Sequence, residues 1–164
     1  MTSASFYEEI RRYAARLLSD IEAGKEIAQE VSLRYEQQRA LPNGEGIAQP
    51  KAWAYRTARN LVIDQYRRQA RKAAVPLPDD LPADATRFNP VILAERKEIN
   101  TMIQQKINDL SPRHREVLRL KFQEGLKYAE IAEVLGEPVS TVTWLIHEAI
   151  TLLRKELKAG STTK

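Results

Sequence analysis

The apolar residues of this chain recur every three or four positions over most of its length. One such series runs through residues 6–17 and a second through residues 27–35. This is the period of an α-helix that buries one side, whereas a half-buried strand would alternate at every second position. No segment shows convincing alternation of the strand type. The pattern therefore predicts an all-α fold.

Two interruptions of the helical period separate three predicted helices in the first half of the chain. The first interruption falls around residues 20–24, and the second is the run LPNGEGIAQP at residues 41–50. Two Gly, two Pro and an Asn-Gly pair within ten residues oppose a helix, so we expect a loop there. A third helix is predicted from Lys51, with an apolar side formed by Ala54, Ala58, Leu61, Val62 and Tyr66.

A proline-rich stretch marks the boundary between two predicted domains. Four of the eight prolines lie within residues 76–90. Proline lacks a backbone donor and disfavours helix at the residue before it, so this stretch is predicted to be a linker. We expect two small helical domains, residues 1–74 and 92–164, joined by a linker over residues 75–91. A tether of this composition sets the reach between domains and leaves their relative placement open.

The C-terminal domain carries the pattern of a helix-turn-helix. An apolar stripe over residues 92–110 ends at a Ser-Pro pair, residues 111–112, which is suited to cap and begin a helix over residues 112–123. A short helix, a turn at residues 136–138 and a last helix from about residue 140 to 157 follow. A short helix, a turn that contains glycine and a longer helix are typical of a motif whose second helix enters the DNA major groove.

The third predicted helix has an unbalanced charge. Residues 56–72 carry six basic residues and one acidic residue, Asp64, in a chain of net charge +4 and pI about 9.4. Such a run is compatible with a solvated surface. Its position beside Trp53, Tyr55 and Tyr66 favours a nucleic-acid interface, because phosphates attract cations and unpaired bases stack on aromatic rings.

The composition excludes several classes of protein and site. The absence of cysteine removes disulfides, thiolate nucleophiles and zinc ribbons. With two His and no Gly-rich phosphate loop, no catalytic constellation is recognisable, so we expect neither an enzyme nor a bound cofactor or metal. No apolar run approaches the length of a membrane span, and the first residues lack the pattern of a signal peptide. We therefore expect a cytoplasmic protein without membrane contact.

Two runs of residues, 110–157 and 52–72, carry a more specific signal. The first contains Leu110, Pro112, Arg115, Val117, Leu118, Glu124, Gly125, Leu126, Tyr128, Glu130, Ile131, Ala132, Leu135, Gly136, Thr141 and Val142. The second contains Trp53, Tyr55, Arg56, Ala58, Asn60, Asp64 and a closing arginine cluster. In order and spacing these residues resemble the two promoter-binding segments of bacterial RNA polymerase sigma factors of the extracytoplasmic-function (ECF) type. NPVILAERKEI, residues 89–99, resembles the usual start of the family's last domain.

The resemblance implies a non-enzymatic factor that directs core RNA polymerase to promoter DNA for transcription initiation. The second helix, about residues 22–38, would dock on the clamp of the largest polymerase subunit. The implied polymerase contacts are Glu26, Gln29, Glu30 and Arg34. The loop and the third helix would melt the minus-ten element and hold an extruded base. The implied minus-ten contacts are Asn43, Trp53, Arg56, Arg59, Asn60, Arg67, Arg68 and Arg71.

The last helix departs from the family pattern where it would read the minus-thirty-five element. On a helical wheel the side away from the apolar stripe presents Ser140, Thr143, Trp144, His147, Glu148 and Thr151. The implied minus-thirty-five contacts are Ser140, Thr141, Thr143, Trp144, His147 and Glu148. The family usually places Arg or Lys at several of these positions, because a bidentate Arg on guanine is the commonest specific contact. We therefore expect weak or altered reading of this element. Alternatively, Trp144 and Leu145 form an exposed patch that contacts protein.

A second departure lies in the helix that would dock on the polymerase. Lys25 stands within a segment that is acidic in many relatives, and a cation there would weaken complementarity with a basic partner surface. An activating kinase that phosphorylates Ser32 would restore negative charge, and an anti-sigma factor is a further partner left open. Two other functions stay open as well: a sigma-derived interaction module or decoy, and a stand-alone helix-turn-helix regulator that dimerises through its first domain.

Overall fold

The computed structural model describes residues 3–42, 46–88 and 101–161. These residues form seven α-helices and no strand, which confirms the predicted all-α fold. The helices are α1 (Ser3–Leu18), α2 (Ile21–Arg39), α3 (Pro50–Lys72), α4 (Thr101–Asn108), α5 (Pro112–Leu118), α6 (Tyr128–Leu135) and α7 (Val139–Ser161). We call α1–α3 the N-terminal lobe and α4–α7 the C-terminal lobe. The predicted stripe and motif within residues 89–100 lie outside the described residues.

The first two helices are separated by a shorter break than the sequence pattern predicts. Ser19 has a φ of 52°, and Asp20 caps α2 by accepting hydrogen bonds from the backbone N–H groups of Glu22 and Ala23. Gly24 therefore lies inside α2, not in a break. A Cβ at this position would come within 2.7 Å of the Ala15 Cβ, so the glycine permits α1 and α2 to pack closely.

The helix-turn-helix of the C-terminal lobe has the predicted construction. Ser111 caps α5 by accepting from the backbone N–H of His114, and Gly136, with a φ of 66°, forms the turn between α6 and α7. The predicted helix over residues 112–123 is α5 followed by a π-helical turn, Arg119–Gln123. In this turn the N–H of Glu124 donates to the carbonyl of Arg119, at an N to O distance of 2.9 Å.

The described part of the linker is packed onto the lobes. It contains a 3-10 turn, Ala83–Thr86, and its Leu81, Ala85 and Phe88 side chains are buried. The proline-rich composition did not determine how this segment lies, and in the structure these apolar side chains hold it against helices on either side.

The two lobes share a hydrophobic core. One cluster of buried residues includes Ala58 and Val62 of α3 together with Leu120, Ile131 and Leu145 of the C-terminal lobe. A smaller cluster joins the end of the linker to the C-terminal lobe through Phe88, Ile107, Leu110, Leu118 and Ala149. The shared cluster places α3 and α6 in contact, so the side of α3 that faces the C-terminal lobe is covered.

Candidate nucleic-acid interface

The outward side of α3 presents basic residues to solvent. The helical period turns Arg56, Asn60, Arg68 and Arg71 away from the shared core, and all four are exposed. Arg56, Arg68 and Arg71 make no hydrogen bond or ion pair with any part of the chain that the structure describes. Three guanidinium groups are therefore available to phosphates along one helix.

Trp53 lies at the N-terminal end of this surface. Its ring is half-buried, with its centroid 5.8 Å from that of Tyr35. Tyr55, in contrast, is fully buried, and Tyr66 donates its hydroxyl hydrogen to the backbone carbonyl of Leu17. The interpretation of Tyr55 as part of an aromatic stacking surface is therefore wrong, because the helical period turns it into the core.

Arg59, unlike the exposed arginines of α3, is buried at the edge of the side that faces the C-terminal lobe. It is 8% exposed, and its Nε donates to Glu116 Oε1 at 2.6 Å. A second nitrogen donates to Asp80 Oδ1, also at 2.6 Å. Burial alone would lower the pKa of Arg59, but the hydrogen bond and charge of Glu116 raise it above its ordinary value. In this arrangement Arg59 contacts the linker and the C-terminal lobe and does not face solvent.

Arg67 is also held by the linker. Its Nε donates to the carbonyl of Pro78 at 3.0 Å, and its Nη2 donates to the carbonyl of Asp79 at 3.3 Å. The Oδ1 atom of Asp64 lies 3.8 Å from Nη1 of Arg67, and both side chains are partly exposed. Of the predicted minus-ten contacts, Trp53, Arg56, Asn60, Arg68 and Arg71 thus lie on the outward side of α3, whereas Arg59 and Arg67 bond the linker. Asn60 also lines a surface pocket together with Arg59 and Arg67. Asn43 lies outside the described residues.

The outward side of α7 carries no cation over its first four turns. Ser140, Trp144 and His147 are exposed, and Trp144 is 60% exposed. Thr141 and Thr143 are half-buried, and the Thr143 hydroxyl donates to the Val139 carbonyl at 2.9 Å. No Lys or Arg occurs in α7 before Arg154. This side of α7 therefore offers hydroxyl, indole and imidazole groups.

The structure corrects one prediction about α7 and shows that Glu148, a second predicted residue of that helix, has a partner within the lobe. Leu145 is 4% exposed, because it packs into the shared core, so it forms no surface patch with Trp144. Glu148 is half-buried, and its Oε2 lies 2.8 Å from Nε2 of His114, whose Nδ1 contacts the Ser111 hydroxyl at 2.7 Å. The Glu148 carboxylate is therefore already paired within the lobe.

The exposed side of α2 contains the predicted polymerase contacts. Glu26, Gln29 and Arg34 are exposed and Glu30 is half-buried. Arg34 pairs with Glu30 at an Nε to Oε1 distance of 2.7 Å. Lys25 pairs with Glu22 at 2.8 Å, so its charge is partly balanced on its own helix.

Polar groups that cross between the lobes were not identified from the sequence. Glu124 of the C-terminal lobe accepts from Arg16 Nη1 at 2.7 Å and from the Tyr55 hydroxyl at 2.8 Å. Burial raises the pKa of Glu124 above its ordinary value, against the lowering effect of Arg16. Burial and the neighbouring Glu124 charge raise the pKa of Tyr55, so its hydroxyl stays a donor. A cavity of about 190 Å³ adjoins these groups, lined also by Glu9, Arg12 and Gln123.

Two arginines of the C-terminal lobe hold the linker by its carbonyl groups. Arg115 donates to the Ala83 carbonyl at 2.9 Å, and Arg119 donates to the Arg87 carbonyl at 2.9 Å. Arg119 is 2% exposed and lies 4.9 Å from the centre of the Phe88 ring. Burial lowers its pKa to about 10. In the sequence, Arg119 is marked only by its place among apolar neighbours in the run RHREVLRL, whereas Arg115 also belongs to the residues that carry the family resemblance.

Comparison with known proteins assigns both lobes to one family. The family model for Sigma-70 region 2 matches residues 4–72, and that for Sigma-70, region 4 matches residues 100–153. The ECF RNA polymerase sigma factor SigL of Mycobacterium tuberculosis is 30% identical over 158 residues, which cover 93% of this chain and 85% of SigL. The chain belongs to the ECF RNA polymerase sigma factors. Such a factor directs core RNA polymerase to promoters for transcription initiation, and sigma factors are non-enzymatic regulators.

Two further comparisons agree with this assignment. The ECF sigma factor SigW of Bacillus subtilis is 29% identical over 166 residues, which cover 93% of this chain and 85% of SigW. The sigma factor RpoE in its co-crystal structure with the anti-sigma factor NepR from Bartonella quintana matches with a TM-score of 0.61 at 20% identity. That match covers 94% of this chain and 93% of RpoE, and it supports the fold. Within the described ranges, no helix of this sigma factor is long and apolar enough to cross a membrane.

Proposed function

We propose that α3 is the part of this sigma factor that grips the melted minus-ten strand. The observation that carries the proposal is a set of exposed arginines that have no partner among the described residues, on the same side of the helix as Asn60 and Trp53: Arg56, Arg68 and Arg71. Opening a duplex costs a few kcal/mol per extruded base. Stacking on Trp53, polar contact from Asn60 and cations on the displaced backbone would offset that cost.

The remaining surfaces are assigned by the same reasoning. The exposed side of α2, with Glu26, Gln29, Glu30 and Arg34, would dock on the clamp of the largest polymerase subunit. The outward side of α7 would approach the minus-thirty-five element with Ser140, Thr143, Trp144 and His147. Because that side lacks cations before Arg154, we expect the minus-thirty-five sequence to contribute little to promoter choice.

The domain boundaries and location belong to the same proposal. Residues 1–74 would bind the polymerase and the minus-ten element, and residues 92–164 would bind the minus-thirty-five element. Residues 75–91 would link the two domains. The factor would act with core RNA polymerase in the cytoplasm.

Since RpoE was crystallised with an anti-sigma factor, an anti-sigma partner is proposed here too. A kinase that acts on the half-buried Ser32 stays a prediction.

In vitro transcription with purified core polymerase and a randomised promoter library tests this function. We expect the selected promoters to share a defined minus-ten element and to vary at the minus-thirty-five positions. Transcription that depends equally on both elements would contradict the atypical role of α7. Binding of the free chain to a palindromic site without polymerase would instead support a stand-alone regulator.

A further inference from the structure

The polar cavity where the two lobes meet has no role in the proposed function. Its volume is about 190 Å³, and it is lined by both lobes: Glu9, Arg12, Arg16 and Tyr55 of the N-terminal lobe, and Gln123 and Glu124 of the C-terminal lobe. None of these residues belongs to the surfaces proposed for DNA or for polymerase. A binding site in this cavity would therefore be a separate property of the chain.

Two polar atoms of the residues that line the cavity are buried and unpaired. In the part of the chain that the structure describes, four buried side-chain atoms have no hydrogen-bond partner, and two of them are Arg16 Nε and Gln123 Oε1. Arg16 is 10% exposed as a side chain, and its Nη1 already donates to Glu124 at 2.7 Å. Buried donors and acceptors are rarely left unpaired in native proteins. A molecule that suits this cavity therefore offers an acceptor to Arg16 Nε and a donor to Gln123 Oε1.

The volume of the cavity limits the size of such a molecule. One water takes about 30 Å³ in the liquid, so 190 Å³ corresponds to about six waters. Pockets for drug-sized ligands are larger, at about 300–1,000 Å³. The cavity therefore suits a molecule with about six non-hydrogen atoms.

The formal charges of the lining side chains balance. Glu9 and Glu124 contribute two carboxylates, and Arg12 and Arg16 contribute two guanidinium groups. An inorganic anion would be repelled by the carboxylates, and a simple cation would be repelled by the guanidinium groups. A zwitterion avoids both penalties, because each of its charges can lie beside the opposite charge and form charge-assisted hydrogen bonds.

We propose that this cavity binds a small zwitterionic α-amino acid of the size of glycine, alanine or serine. Its carboxylate would accept hydrogen bonds from Arg16 Nε and from the guanidinium group of Arg12. Its ammonium group would donate to Gln123 Oε1 and to the Glu9 carboxylate. One ligand would thus pair both unpaired atoms and contact both lobes.

The Glu9 carboxylate suits the ammonium group because its contacts within the chain are long. Its Oε2 lies 3.4 Å from the Tyr55 hydroxyl oxygen and 3.7 Å from Lys51 Nζ. A charge-assisted bond between nitrogen and oxygen is typically about 2.7–2.9 Å long. Glu124, in contrast, accepts from Arg16 at 2.7 Å and from Tyr55 at 2.8 Å. Glu9 is therefore the carboxylate that can accept a further strong hydrogen bond.

The lining also predicts which amino acids are excluded. Five of the six lining side chains carry a charge or an amide, and the sixth is a tyrosine. A large apolar side chain would exceed the volume and would displace water from these polar groups without pairing them. We therefore expect leucine and phenylalanine to bind at least about tenfold more weakly than glycine.

An NMR titration of the full chain with glycine, alanine and serine tests the site. N,N,N-trimethylglycine is the matched control ligand, because it keeps both charges but has no N–H donor. We expect saturable binding of one amino acid per chain, at least about tenfold tighter than that of trimethylglycine, acetate or phosphate. Absence of saturable binding would overturn the proposal. Equally tight binding of trimethylglycine, or binding of phosphate alone, would overturn it as well.

The variant Gln123→Met tests the acceptor for the ammonium group. Methionine is similar in size to glutamine but offers no acceptor oxygen, so we expect the affinity for glycine to fall at least about tenfold. Gln105→Met is the matched control, because Gln105 is exposed on α4 and does not line the cavity. Equal affinity in folded Gln123→Met and in this control would overturn the proposal. The comparison of ligands on the unaltered chain decides it even where Gln123→Met fails to fold.

Discussion

Helices α3 and α7 both present one side to solvent, yet the two exposed sides offer different chemistry to DNA. The exposed side of α3 carries three arginines that have no partner within the part of the chain that the structure describes. The exposed side of α7 carries Ser, Thr, Trp and His, and its carboxylate, Glu148, is paired with His114. Phosphate attraction depends on the number of cations and not on the base sequence. Under the proposed assignment of the two helices, α3 would supply most of the affinity for DNA, and α7 would add contacts of low charge.

Loss of the α3 cations should produce the largest effect. The triple variant Arg56→Ala, Arg68→Ala and Arg71→Ala is expected to weaken open-complex formation about 10- to 100-fold and to reduce the salt slope by about 3. All three side chains are exposed, so the thermal stability of the chain should change little. Open-complex formation across a salt series, with core polymerase saturating, is the measurement.

Arg67→Ala is the matched control for this triple variant. It removes an arginine from the same helix, but one that donates to the carbonyls of Pro78 and Asp79. We expect it to loosen the linker and to leave the salt slope nearly unchanged. An equal fall in slope for Arg67→Ala would contradict the separation of the α3 arginines into two groups.

Arg56 is exposed and Arg59 is buried, although the two lie three positions apart on one helix, and this difference shows what the sequence can and cannot predict. The helical period, the outward side of α3 and the helix-turn-helix all follow from local spacing and are present in the structure. The contacts of Arg59 cannot be predicted from local spacing, because its partner Glu116 lies 57 positions away in the chain. Glu124 likewise meets Arg16 across 108 positions. Glu124 belongs to the residues that carry the family resemblance, but no local pattern names the partner of either glutamate, so only the packing of the lobes reveals the pairs.

Gly24 and Leu145 show the same limit within single helices. Glycine usually marks a break, and the sequence places one around residues 20–24. In the structure Gly24 lies within α2, where it packs closely against Ala15 of α1. The neighbouring helix leaves no room for a Cβ at this position. Leu145 lies beside Trp144 in the chain, yet the core that covers it includes residues of the other lobe.

A cation added to α7 should produce an intermediate effect in the opposite direction. Thr143 is half-buried on the outward side, and its hydroxyl donates to the carbonyl of Val139. Thr143→Arg is expected to raise promoter affinity about fivefold and to increase the salt slope by about 1. Gln105→Arg on α4 adds the same charge away from the outward side of α7 and should have little effect. An unchanged slope for Thr143→Arg would place this side of α7 away from DNA.

Removal of the exposed indole of α7 should produce the smallest effect. Trp144 is 60% exposed, so Trp144→Ala should leave the fold intact. A single apolar contact to a base edge contributes little beside three phosphate contacts, so we expect transcription to fall about twofold, with polymerase affinity unchanged. Trp144→Phe keeps an aromatic ring and should restore most of this loss. If Trp144→Ala instead weakens polymerase binding in a direct titration, the ring contacts protein, and the charge contrast between α3 and α7 no longer describes how the two helices share DNA.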